Sequence, residues 1–133
     1  VRTGIAVAQG LSLGLNCPIY AFSTLMVFAE QQYRLTGAEQ VSCQLDARQN
    51  EVYWGAFERQ ANGCWLNIEA ERVARPEQLP SLKEPWVGIQ QPPFYPDALD
   101  ALNLCLNLLN TPDIGAYTYT PETLEAVYLR NPI

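Results

Sequence analysis

Residues 1–15 read as a helix that is apolar on nearly every side. Its single charge is Arg2, in the first turn. Ala6, Gly10 and Gly14 recur every fourth residue and make a ridge without bulk. Val7 and Leu11 lie beside that ridge, while Ile5 and Leu13 reach other faces. A helix apolar all round has to be covered all round. A chain of 133 residues can cover one face with its own core, so the other face is expected to meet a partner. Residues 18–22 then read as a short buried strand. Ser23 or Thr24 can cap a helix over about 25–34, which stops before Gly37.

The period then changes. Residues 41–45 alternate apolar and polar, as a half-buried strand does. Residues 46–50 read as a turn and 51–59 as an aromatic-rich strand. Asn62-Gly63 is a strong hairpin signal before a third strand over 64–73. These three strands predict an antiparallel meander, with the Thr36-Gly37 join as a domain boundary. Pro76 opens a short helix, 86–89 is a short buried strand, and 91–96 is a Pro-rich loop. Asp97 caps a helix to about Asn110 whose apolar positions are Leu99, Leu102, Leu106 and Leu109, with Cys105 among them. Thr111-Pro112, Thr120-Pro121, a helical turn from Glu122 and the run Val127-Tyr128-Leu129-Arg130 make up the tail.

Helices alternating with strands place the chain in the α/β class. A meander followed by helix, strand and helix is the order of the ribonuclease-H-like fold, the repeated half of actin-like ATPases. The expected division is 1–36, the helix-strand-helix remnant of a first actin-like domain; 37–111, a second ribonuclease-H-like domain; and 112–133, a C-terminal segment packing back on the body.

Charge narrows the partners. Eight Arg and Lys against fourteen Asp and Glu leave −6, and from Glu84 onward six acids face one base, Arg130. Direct nucleic-acid binding rewards clustered bases, so RNA would be met through a partner. There is no histidine, which removes the commonest general base and metal ligand. Cys17, Cys43, Cys64 and Cys105 lack zinc-knuckle spacing and read as reduced, buried thiols of a cytoplasmic protein. Residues 3–29 carry no charge, but Asn16-Cys17-Pro18 breaks the stretch into halves too short to span a membrane. The chain opens on Val1 and runs straight into a helix, as expected of a piece of a longer protein.

Asp46, Arg48 and Glu51 are the tight charged cluster on a turn. They could serve a metal-dependent hydrolase, or Asp46 could organise the turn while Arg48 pairs in solvent. A two-metal nuclease needs more convergent carboxylates than Asp46 and Glu51 supply, so the second reading is the stronger. No Gly-rich phosphate motif is present: Gly10 and Gly14 lie inside a helix, and the 46–50 turn has no glycine. Alternation puts Trp54 on the face opposite Tyr53 and Phe57, so these rings and Trp65 read as packing rather than as a base-stacking platform.

Three stretches resemble the bacterial TsaB family, also called YeaZ. They are the run from Val1 through Gly14, with Pro18 and Ser23-Thr24-Leu25; Asp46-Ala47-Arg48 followed by Glu51-Val52-Tyr53-Trp54, similar to the family's signature hairpin; and Val127-Tyr128-Leu129-Arg130, similar to its C-terminal motif. The resemblance implies an actin-like fold of two related domains. It implies a non-catalytic partner of the homologue TsaD, which transfers threonylcarbamoyl to the tRNA adenosine next to the anticodon. A small ATPase, TsaE, joins that complex, and tRNA is reached only through it. Ile5, Ala6, Gln9, Gly10, Leu13 and Gly14 are then interface candidates, with TsaD or in a homodimer. Asp46, Arg48, Glu51 and Tyr53 carry the signature hairpin with no assigned role. No catalytic residue, metal or cofactor is implied in this chain, with room for a nucleotide at the interface of the complex. The family's opening strand and its Gly-rich loop before Val1 are missing here, which implies N-terminal truncation. Chaperone-like self-association, under the family's older glycoprotease-like label, is the rival reading.

Overall fold

The computed structural model describes residues 2–127, so Tyr128-Leu129-Arg130 of the C-terminal motif, and the end of the 112–133 segment, lie outside the described residues. Helix α1 (Arg2–Leu15) ends where Asn16 takes a left-handed φ of 52°, a conformation Asn tolerates better than most residues. Ser12, the buried residue of α1, donates its hydroxyl to the Cys17 carbonyl and ties off this end. Strand β1 (Ile19–Tyr20) follows, and then α2 (Thr24–Thr36). Ser23 caps α2: its Oγ accepts from the Leu25 N–H at 3.2 Å and its hydroxyl donates to Glu71. Gly37 stops the helix at φ 78°, its N–H reaching the Tyr33 carbonyl at 2.7 Å.

The meander forms as its alternation predicts. Strands β2 (Gln40–Asp46) and β3 (Val52–Arg59) pair antiparallel from Gln40 opposite Glu58 to Asp46 opposite Val52. Strand β4 (Trp65–Ala74) pairs antiparallel with β3, with an irregularity around Ala56. Strand β5 (Val87–Gln90) lies parallel to β2, giving the order β4-β3-β2-β5. A short 3-10 helix, Pro76–Gln78, stands in the crossing connection. Helix α3 (Ala98–Leu108) starts at Asp97, whose Oδ1 accepts from the Leu99 N–H at 2.8 Å. A second 3-10 helix, Pro112–Tyr117, leads into β6 (Thr118–Tyr119). No helix among the described residues is long and apolar enough to cross a membrane. This is the mixed α/β architecture expected, with the ribonuclease-H-like meander at its centre.

Three features go beyond the sequence reading or differ from it. The buried strand expected over 18–22 is two residues long and only partly covered. It joins no central sheet but pairs with β6, Ile19 opposite Tyr119 and Tyr20 opposite Thr118. Pro18 has no N–H to extend a ladder. The core also draws on α2. Leu25, Met26, Val27, Phe28 and Ala29 of α2 share one buried cluster with Val41, Cys43, Phe57, Trp65, Ile89 and Leu104. Arg34 then clamps α2 to α3, its Nε and Nη2 donating to the two oxygens of the fully buried Asp100 at 2.7 and 3.0 Å. Finally, α3 turns the opposite face inward. Asp100, Leu104 and Leu108 are buried, while Leu99, Leu102, Leu106 and Leu109 stay 43–58% exposed.

Candidate functional site

Helix α1 rests on the molecule by a narrow stripe. Ile5, Ala8, Gln9 and Ser12, spaced i, i+3, i+4, i+7, are its covered positions. Of the six candidate interface residues, Ala6, Gly10, Leu13 and Gly14 are exposed, whereas Ile5 and Gln9 are half-buried. Gln9 faces its own chain: its Nε2 donates to the Pro121 carbonyl at 2.9 Å and the Leu124 carbonyl at 3.3 Å. The open face is broader than the small ridge alone. Val7, Leu11, Leu13 and Leu15 are 57–70% exposed. Leu15 carried no role in the sequence reading, though its position one turn beyond Leu11 was the available signal.

The glycines of α1 have no internal reason to be small. A Cβ built on Gly4, Gly10 or Gly14 would meet nothing within 4 Å. Each costs roughly 0.5–1 kcal/mol of helix stability relative to Ala. Within the described residues nothing approaches the space they leave open. A stripe of this kind lets a second helix come close, and the flanking Val and Leu side chains would supply the apolar area.

The charged turn is a separate feature at the far end of the β2–β3 hairpin. Asp46 Oδ1 accepts from the Arg48 N–H at 3.0 Å, the Ala47 N–H donates to the Glu51 carbonyl at 2.9 Å, and the Glu51 N–H donates to the Arg48 carbonyl at 3.0 Å. Arg48, Gln49 and Asn50 take φ of 64°, 56° and 61°, three successive left-handed residues without a glycine. Such positions cost about 1–2 kcal/mol each for non-glycine residues. Tyr53 is half-buried in β3 opposite Leu45 and Val73. This turn does not fit a nucleotide phosphate, because three of its N–H groups already donate within it. Among the described residues no group of three or more Cys, Asp or Glu is arranged to hold a metal ion.

The aromatic residues pack: Phe57 and Trp65 lie in the core cluster, and Trp54 is buried beneath the Arg72 guanidinium, 4.6 Å from its ring centre. All four cysteines are free, but of the four expected to be buried only Cys43 is: Cys64 and Cys105 are half-buried, and Cys17 is exposed where the chain turns between α1 and β1. Burial pushes the Cys43 thiol well above its usual range and raises Cys64. A cleft of about 670 Å³ between the end of α2 and the start of β2 is lined by Gln32, Thr36, Glu39, Glu58 and Arg59 among others, and includes none of the predicted site residues.

The model for the TsaD family, tRNA N6-adenosine threonylcarbamoyltransferase, matches residues 1–95. The chain is similar to the tRNA threonylcarbamoyladenosine biosynthesis protein TsaB of Escherichia coli strain K12, 42% identical over 93 residues, covering 67% of this chain and 40% of that protein. It is also similar to TsaB of Buchnera aphidicola subsp. Acyrthosiphon pisum, 26% identical over 117 residues, covering 85% of this chain and 53% of the relative. The chain thus spans about half the length, or less, of these curated relatives. A solved Pseudomonas aeruginosa protein, described as similar to peptidase YEAZ, superposes with a TM-score of 0.84 at 30% identity, over 98% of this chain and 67% of that one. On the domain model, the relatives and the superposition together, this chain belongs to the TsaB (YeaZ) family and shares its domain with TsaD.

Proposed function

We propose that this chain is a non-catalytic scaffold in tRNA threonylcarbamoyladenosine biosynthesis. It docks through the open face of α1 onto a TsaD-like homologue, which carries the transfer of threonylcarbamoyl to the adenosine next to the anticodon. A TsaE-like ATPase joins the same cytoplasmic assembly, and tRNA is met through the complex. The observation that carries this reading is the uncovered face of α1, where Val7, Leu11, Leu13 and Leu15 flank glycines with open space above them. Two further facts support it. The chain's −6 charge disfavours a polyanion bound directly, and the lack of histidine withholds the usual metal-ligating side chain. No cofactor is assigned to this chain, and a nucleotide belongs to the interface of the complex.

Light scattering on a size-exclusion column tests the reading, with the chain alone and mixed with the TsaD homologue of the same source. A one-to-one mass supports docking. The Gly10→Leu variant, which places a branched side chain in the closest approach, should then lose at least about tenfold in affinity while its unfolding midpoint is kept or raised. A stable dimer of the chain that never exchanges with the homologue supports the self-associating alternative instead. Normal binding by a folded Gly10→Leu variant removes the interface from α1.

A further inference from the structure

The covered stripe of α1 holds one large apolar residue, Ile5, beside Ala8, Gln9 and Ser12. So narrow a stripe buries little apolar surface, and polar anchors gain weight in deciding where the helix stands. Gln9 is such an anchor. Its amide NH₂ has two donors, and they reach two carbonyls 112 and 115 residues away in sequence, on either side of one turn. That turn is self-bracing. The Thr123 and Leu124 N–H groups both donate to the Thr120 carbonyl at 3.2 Å, and the Thr120 N–H donates to Thr123 Oγ1 at 2.8 Å. Leu124, at the end of the turn, is buried. The adjacent β6 pairs with β1, directly after α1. The 120–124 turn therefore stands as a strut under α1.

We infer that Gln9 is a positioning residue for the docking helix and that the 120–124 turn sets the pose of α1 in which its open face is presented. The inference rests on the docking reading given under Proposed function for its consequence, though not for its geometry. It separates Gln9 from Ala6, Gly10, Leu13 and Gly14, which face outward. Gln9 acts on the partner indirectly, by keeping the binding-competent pose populated. A fall in that population weakens apparent affinity by the same factor through slower association, with the dissociation rate unchanged.

The test uses the whole 133-residue chain and two variants, Gln9→Leu, which keeps bulk and removes both donors, and Gln9→Asn, which keeps the amide but shortens its reach. Amide hydrogen exchange is read across α1 and, as a folding control, across β2 and β3. The expected result is about tenfold faster exchange confined to α1 in Gln9→Leu, as for the loss of about 1.4 kcal/mol, and a smaller change in Gln9→Asn. Association with the TsaD homologue should slow by the factor by which the competent pose is depopulated, while dissociation stays as in the parent. In Gly10→Leu the pattern inverts: α1 exchange is unchanged or slower and dissociation is faster. Unchanged α1 exchange in both Gln9 variants overturns the inference, and so does faster dissociation, which would make Gln9 a partner contact. Acceleration through the sheet as well overturns it in favour of a general stabilising role. If the parent chain binds no homologue, the docking reading falls while the exchange measurement still decides the role of Gln9.

Discussion

Glu30 sits in the middle of α2 with 3% of its surface exposed, and its Oε1 accepts the Trp65 Nε1–H at 3.2 Å. Burial raises its carboxyl above the usual range, and the Trp65 bond and the charge of Arg59 offset this only in part. The group is therefore easier to protonate folded than unfolded. Its stabilising contribution is full below the unfolded value and is lost as pH rises from about 4.5 through the raised folded value. Glu30→Gln keeps an acceptor for Trp65 and removes the titration. The variant's stability relative to the parent should rise with pH across that window and then level off. Urea titrations between pH 4 and 8 read this, and a difference that stays constant with pH would dismiss it. Sequence pattern did not single out Glu30 or Asp100, because a lone acid in a helix reads as a solvated position. What buries them is a partner far along the chain, Trp65 for one and Arg34 for the other. The turn at 46–50 was legible as a turn, since Asp46 makes the short-range bond that Asp makes in turns. Its three left-handed residues were not, because Arg48 and Gln49 have no preference for that conformation.

At the scale of elements, boundaries were legible where a cap is local. Ser23, Gly37 and Asp97 mark helix ends by bonds to residues two to four positions away. The inward face of α3 was not legible. Leu99, Leu102, Leu106 and Leu109 make one helical stripe, and Asp100, Leu104 and Leu108 make another at i, i+4, i+8. Both satisfy a 3.6-residue period, and the first holds more leucine. The bidentate Arg34–Asp100 pair holds the second face inward, because that orientation brings the Asp100 carboxylate to the Arg34 guanidinium. Leu104→Ala should thus cost about 2–5 kcal/mol and Leu102→Ala less than about 1 kcal/mol. Denaturant midpoints of the two variants check this, and comparable losses would mean that the helix is turned the other way.

At the scale of the molecule, α2 belongs with the sheet. Phe28 is fully buried in the same cluster as Val41, Phe57 and Ile89, so α2 and the meander should unfold as one unit. Phe28→Ala is expected to lower stability by about 3–5 kcal/mol and to speed exchange in β2 and β3 as much as in α2. Exchange confined to α2 would make α2 a unit separate from the meander. Helix α1 and β1 stand differently: their partners are β6 and the 120–124 turn, near the other end of the described residues.

The sequence by itself determined the elements that local chemistry controls: α1 and its small ridge, the capped α2, the alternating meander with its Asn62-Gly63 turn, and, through three quoted motifs, the family. Helical and strand periods and caps act within a few residues and need no knowledge of what packs where. Only the tertiary structure decided which face of α3 is buried, that α2 completes the sheet's core, and that Gln9 faces its own chain. Each depends on a group that arrives from tens of residues away, and periodicity carries no information about which of two suitable faces that group will meet.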